Sequence, residues 1–168
     1  MRRTLIVVDM QNDFIDMALG TKEAVAIVPA VREKIRQYAE NGDRIIYTRD
    51  THGENYLETP EGKKLPVVHC VRGTQGWQIA DGLYVEGSKI IDKPNFGWPN
   101  WDQEQLEEVE LVGLCTDICV VSNALIIKAT FPDAKVSVDS ACCAGVTPAS
   151  HEAALTTMAM CQIDITGK

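Results

Sequence analysis

Five consecutive positions near the amino terminus, Thr4-Leu5-Ile6-Val7-Val8, present no face suited to water. A run this short and this rich in β-branched residues reads as a strand buried on both sides, which happens in a parallel sheet covered by helices. The rest of the chain alternates in kind. Val31, Ile35 and Tyr38 recur at helical spacing within 28–40, with Asn41-Gly42 as a stop. Arg44-Ile45-Ile46-Tyr47-Thr48-Arg49 is a second strand, and 88–91, 109–112 and 134–138 supply three more. Helices are expected over 120–128 and 148–160, another opens at 102–106, and 162–166 is a possible sixth strand. Strands alternating with helices predict an α/β fold with a mainly parallel sheet between two helical layers. At 168 residues, with no internal repeat or linker, the expectation is one domain over 1–168.

Composition excludes several functions. The net charge of -8 argues against nucleic acid or an anionic membrane as partner. Two arginines precede the first apolar run, but Asp9 ends it too early for a signal peptide, and no stretch approaches the ~18 apolar residues of a membrane span. A cytoplasmic protein is expected, and in that setting the six cysteines read as free thiols rather than disulfides. C-x3-C and an adjacent pair do not match structural zinc spacing.

Chemistry concentrates at strand ends. Cys119 lies where the strand 109–112 gives way to a helix, and the unpaired N–H groups and dipole of a helix start favour a thiolate. Asp9 ends the first strand and Lys93 follows the third. In a parallel sheet these ends share one edge and can meet in a single crevice. A carboxylate to move the thiol proton and a lysine to hold the thiolate would suit a cysteine nucleophile. Taken singly, Asp9 and Lys93 read equally well as an ordinary ion pair.

The segment 51–87 has little periodicity, and a loop that long is usually functional or disordered. Asp50 and His52 alternate on a strand end, with His69 further on. One carboxylate and two imidazoles suit zinc, iron or manganese, although scattered polar loop residues fit the same pattern.

Three stretches in order resemble one family: Val7-Val8-Asp9-Met10-Gln11-Asn12-Asp13-Phe14, then Lys93 after Ile90-Ile91-Asp92, then Gly113-Leu114-Cys115-Thr116-Asp117-Ile118-Cys119-Val120. The set is similar to the D-x-Q-x-D-F, lysine and G-x-x-T-D-x-C-V motifs of the cysteine hydrolase branch of the isochorismatase-like superfamily, nicotinamidases above all. That resemblance implies a three-layer α/β/α sandwich and a Cys119–Asp9–Lys93 triad. It implies an oxyanion hole from the backbone N–H groups of Cys115 and Cys119, beside a cis Leu114–Cys115 peptide. It also implies one divalent ion, zinc first with iron or manganese as alternatives, held by Asp50, His52, His69 and a fourth ligand that lies between the two histidines in the chain. Many relatives place a histidine where this chain has Glu54, Asn55 and Tyr56. A Pro-Glu variant of the motif fits Pro60-Glu61, so Glu61 is the choice, with Glu54 and Glu58 behind it. Phe14 resembles an aromatic of the family's pocket. Trp98, or else Phe96, would close that pocket near Lys93. Gln11 and Asp13 would brace the Asp9 loop, and His151 would face solvent or cap its helix.

The function implied is hydrolysis of a small-molecule amide, nicotinamide first, by a homo-oligomer. Two readings compete. The same triad could serve a ureido, carbamoyl or other amide substrate. Alternatively, Cys115 and Cys119 could oxidise together in a non-enzymatic redox or metal sensor, which would have no need of Asp9 and Lys93.

Overall fold

A computed structural model describes residues 2–168. Six parallel strands form one sheet: β1 (Arg3–Val8), β2 (Arg44–Asp50), β3 (Lys89–Lys93), β4 (Glu108–Leu114), β5 (Lys135–Ala144) and β6 (Asp164–Thr166). Their order is β3-β2-β1-β4-β5-β6. The chain winds outward from β1 in one direction, then returns to start β4 on the other side of β1. Ligands of open α/β sheets bind at that reversal, outside the carboxyl ends of the strands.

The unbroken apolar run of β1 is explained by two cores. Ile6 and Val8 point into one, with Ile46 of β2 and Leu111 of β4; Leu5 and Val7 point into the other, with Ile45, Tyr47 and Val112. Successive side chains of a strand face opposite ways, so both layers draw on the same strands. Helices α4 (Val121–Thr130) and α5 (Pro148–Met160) cover the first face through Ala124, Ile127, Leu155 and Met158. Helix α2 (Lys22–Glu40) covers the second through Val31, Ile35 and Tyr38. No helix among the described residues is long and apolar enough to cross a membrane.

Boundaries differ from the sequence reading where a cap or a distant partner intervenes. Helix α2 begins at Lys22, not 28, because Thr21 accepts from the Ala24 N–H at 3.0 Å and caps it there. Pro29 therefore lies inside the helix, on its exposed side. Two short helices, α1 (Asn12–Ile15) and α3 (Pro60–Lys64), occupy segments that read as loop. The helix expected from 102 is a single tight turn, Trp101–Gln103, because the buried Glu104 turns back to pair with Arg44 and Lys89 on β2 and β3. Strand β5 continues past Asp139 to Ala144. Thr147 caps α5 in a reciprocal pair with Ser150. Of the four cysteines outside the Cys115–Cys119 turn, Cys70, Cys142 and Cys143 are buried and Cys161 is exposed.

Where β4 meets β1, the register of β4 against β5 shifts between Leu111 and Gly113. Gly113 has φ +120°, and a Cβ there would lie 2.1 Å from the Val8 carbonyl oxygen. Only glycine permits this close approach. Gly113→Ala is expected to lower unfolding stability by roughly 3–5 kcal/mol, from strain plus overpacking, as read by urea denaturation.

Candidate active site and metal centre

Beyond Gly113 the chain passes Leu114, whose peptide bond to Cys115 is cis. It then makes one wide turn, Thr116–Val120, in which the Val120 N–H donates to the Cys115 carbonyl at 3.0 Å. Such widened turns recur at functional sites. Cys119 is held in it at 5% exposure. The turn is secured from two sides. Thr116 Oγ1 and His151 Nδ1 are 2.6 Å apart, so His151 binds the turn and is not merely a surface or capping residue. Asn123, one helical turn after Cys119, donates to the Cys119 carbonyl at 2.7 Å and to that of Phe96 at 3.0 Å. Its carbonyl oxygen accepts from the Trp98 N–H at 2.8 Å and the Trp101 indole at 3.0 Å.

Asp9 and Lys93 meet Cys119 at the sheet edge. Both are fully buried. Lys93 Nζ donates to Asp9 Oδ2 at 2.7 Å, to Cys119 Sγ at 3.3 Å and to the Asn95 carbonyl at 3.2 Å, which uses all three of its protons. Thr48 Oγ1 donates to Asp9 Oδ1 at 2.7 Å. Sequence reasoning missed Thr48, although it shares a strand face with Asp50, two residues on.

Burial dominates the protonation of this cluster. It raises the Asp9 pKa above its ordinary 3.8, against the pull of Lys93. It works against the Lys93 ammonium too, but the charge of Asp9 and the hydrogen bond to it outweigh it and hold the lysine protonated. It raises Cys119 well above its ordinary 9.0, and the Asp9 charge adds to this. Cys119 therefore rests as a thiol. The expectation of a thiolate from the helix start fails because desolvation and a neighbouring carboxylate outweigh the dipole.

Asp50, His52, Glu61 and His69 each bring one donor atom into a group spanning no more than 4.8 Å. His52 Nε2 lies 2.9 Å from Asp50 Oδ2 and 3.3 Å from Glu61 Oε2; His69 Nε2 lies 3.4 and 3.8 Å from the same atoms. Ligands about 2.0–2.2 Å from one ion stand at such separations from each other. The Nδ1 of His69 faces the Val67 carbonyl at 2.7 Å, which directs its proton there and leaves Nε2 free as a donor to metal. Asp50 Oδ1 is buried with no hydrogen-bond partner, an arrangement a cation would relieve. The donor set fits a divalent transition metal. Glu61 reaches it from the first turn of α3, which Thr59 caps. Glu54 and Glu58 do not join the group.

Both clusters open into one cavity of about 250 Å³. Cys115 and Cys119 line one side, and Asp50, Glu61 and His69 another. Phe14 lines it too, edge-on to His69 with ring centroids 5.5 Å apart. Trp98 is not part of its wall. It packs on the α4 side of the core, and Phe96 is the aromatic that lines the cavity. Between the two, only the path of the 95–101 turn decides which ring points inward, and Asn123 sets that path.

Residues 3–167 match the isochorismatase domain. The chain is 28% identical to the nicotinamidase/pyrazinamidase of Mycobacterium tuberculosis over 143 residues, covering 73% of this chain and 76% of that protein. It superposes on the pyrazinamidase of Pyrococcus horikoshii, solved in complex with zinc, with a TM-score of 0.87 at 30% identity over the whole of both chains. The fold is also that of a nicotinamidase/pyrazinamidase from Bacillus subtilis, with a TM-score of 0.85 at 22% identity over 99% of this chain and 100% of that one.

Thr48→Val leaves a buried carboxylate short of one donor. It is expected to cost about 1.5–3 kcal/mol of unfolding free energy, measured by urea denaturation at neutral pH.

Proposed function

The chain belongs to the isochorismatase family, and on that premise we propose that it is a metal-containing cysteine amidohydrolase, converting nicotinamide to nicotinate and ammonia. One observation carries this reading: the Cys119–Asp9–Lys93 cluster and the Asp50–His52–Glu61–His69 cluster share a cavity near the small end of ligand pockets, roughly 300 Å³. Such a space suits one small ring with its amide. The nicotinamidase/pyrazinamidase of M. tuberculosis and the zinc-bound pyrazinamidase of P. horikoshii support it.

In the proposed sequence, Asp9 takes the Cys119 proton as Sγ attacks the amide carbon, so that thiolate is generated only as the C–S bond forms. Lys93 keeps its charge throughout and holds Asp9 and Sγ in register. The backbone N–H groups of Cys115 and Cys119 receive the oxyanion, an arrangement typically worth about 10²–10³ in rate. Asp9 returns its proton to the leaving nitrogen, the C–N bond breaks and ammonia departs. Asp9 then deprotonates a water that attacks the thioester; the C–S bond breaks, and the proton on Asp9 restores the thiol. A divalent ion on Asp50, His52, Glu61 and His69 would supply a Lewis acid that orients a ring nitrogen of the substrate. Zinc is the first choice, with iron and manganese accepted by the same donors. Phe14 and Phe96 would flank the ring. The same reading takes the chain as one domain, acting as a homo-oligomer in cytoplasmic NAD salvage.

Purified, zinc-loaded protein is expected to release ammonia from nicotinamide, and Cys119→Ala to lower kcat by at least about 10³-fold. Chelation should abolish turnover and zinc restore it. A Cys119→Ala enzyme close to wild type would remove the nucleophile assignment. Protein silent on nicotinamide but active on ureido or carbamoyl compounds would transfer the same chemistry to another substrate.

The pH profile tests Asp9. Activity needs its carboxylate, and burial raises its pKa, so kcat/KM should fall with decreasing pH through a point above the ordinary 3.8. The Thr48 hydrogen bond lowers that pKa, so Thr48→Val should move the acid limb to higher pH. A limb unmoved by this substitution would assign it to another group.

A further inference from the structure

Gln11 and Asp13 are buried between the two halves of the site, and neither lines the cavity. Their side chains do not brace Asp9, whose carboxylate is held by Thr48 and Lys93. They turn instead toward the metal-ligating segments. The Gln11 side-chain carbonyl accepts from the Asp50 N–H at 2.8 Å, while its amide nitrogen donates to the Asp50 carbonyl and the Trp77 carbonyl, each at 2.9 Å. Only this orientation of the amide satisfies all three, because a main-chain N–H can only donate and a carbonyl only accept. Asp50 is thus clamped through both peptide units that flank its Cα.

Asp13 does the same for His69. Its Oδ2 accepts from the Cys70 N–H at 2.7 Å. Cys70 directly follows His69 and has φ +47°, a region non-glycine residues seldom adopt. The kink there lets the Cys70 carbonyl accept from the His52 N–H at 2.9 Å, which ties both histidine segments together. The loop 75–80 closes over this arrangement. The Asp13 N–H donates to the Gly76 carbonyl at 2.9 Å, and a Cβ on Gly76 would lie 2.1 Å from Asp13 Oδ2. A backbone without a side chain is what allows the carboxylate to be covered so closely.

We propose that Gln11 and Asp13 are positioning residues for the metal ligands: Gln11 fixes the main chain of Asp50, and Asp13 fixes the turn that aims His69. The proposal rests on the reading that Asp50, His52, Glu61 and His69 hold a divalent ion. One short segment then serves both halves of the site, with Asp9 facing the thiol and the next two alternate residues facing the metal.

The test measures zinc affinity by competition with a chromophoric chelator, and the rate of Cys119 alkylation by iodoacetamide in zinc-free protein. Gln11→Met removes three hydrogen bonds while keeping volume, and Asp13→Asn weakens the acceptor for Cys70 without changing its size. Each is expected to weaken zinc binding about 10–100-fold, Asp13→Asn at the lower end, with alkylation within about twofold of wild type. Zinc affinity equal to wild type in both folded variants overturns the proposal, and so does an alkylation rate that departs severalfold from wild type, most plainly one that rises as the buried Cys119 becomes accessible, since that would mark general loosening. The two substitutions test separate clamps, so one that fails to fold by circular dichroism leaves the other decisive. Wild-type protein that binds no zinc removes the metal reading itself, and this is seen before any variant is compared.

Discussion

The buried Asp9–Lys93 pair is the interaction on which the rest of the site depends. Both side chains are completely enclosed, and leaving either charge alone in such a place costs about 3–5 kcal/mol. The pair forms only if β1 and β3, with β2 between them, end at the right levels. Val8 pairs with Thr48, and Asp50 with Lys93, so the register of β2 delivers both Thr48 and Lys93 to Asp9. The remaining protons of Lys93 then fall on Cys119 and the Asn95 carbonyl, and no capacity is left over.

The place where this happens follows from the winding of the sheet. Strands β1 and β4 are neighbours, but their connections leave in opposite directions, which opens a crevice above them. The close approach of Gly113 to Val8 and the wide turn after it bring Cys119 over that crevice. Strand β2 contributes Asp50 to the same edge, paired directly with Lys93. A thiol cluster and a metal cluster can therefore share one small cavity without any mobile element to bring them together.

The chemistry of the thiol is set by this enclosure. A cysteine at a helix start in water would lean toward thiolate. Enclosed beside a carboxylate, its pKa is pushed well above the ordinary 9.0, and burial raises that of Asp9 too, which suits the role proposed for Asp9 of taking and giving one proton in each half-reaction. An uncharged resting thiol is also less open to adventitious oxidation or alkylation, because reactivity follows thiolate content.

Much of this was legible in the residues alone. Unbroken apolar runs mark strands buried on both faces, and the residues that end those runs, Asp9, Lys93 and the Cys119 turn, lie on one edge of any parallel sheet. Asp50, His52 and His69 were readable as a donor set, and a family resemblance singled out Glu61 from three nearby glutamates. These are local signals: periodicity, a strand end, an ordered motif. Tertiary structure alone decided that α1 and α3 exist, that Glu104 leaves a helix to pair with two strands, that Phe96 rather than Trp98 faces the cavity, that His151 binds the Cys119 turn and that the Cys119 thiol is desolvated beside Asp9. Each of those depends on what lies within a few ångströms from a distant part of the chain, because desolvation and hydrogen-bond partners are properties of the enclosure and not of the residue.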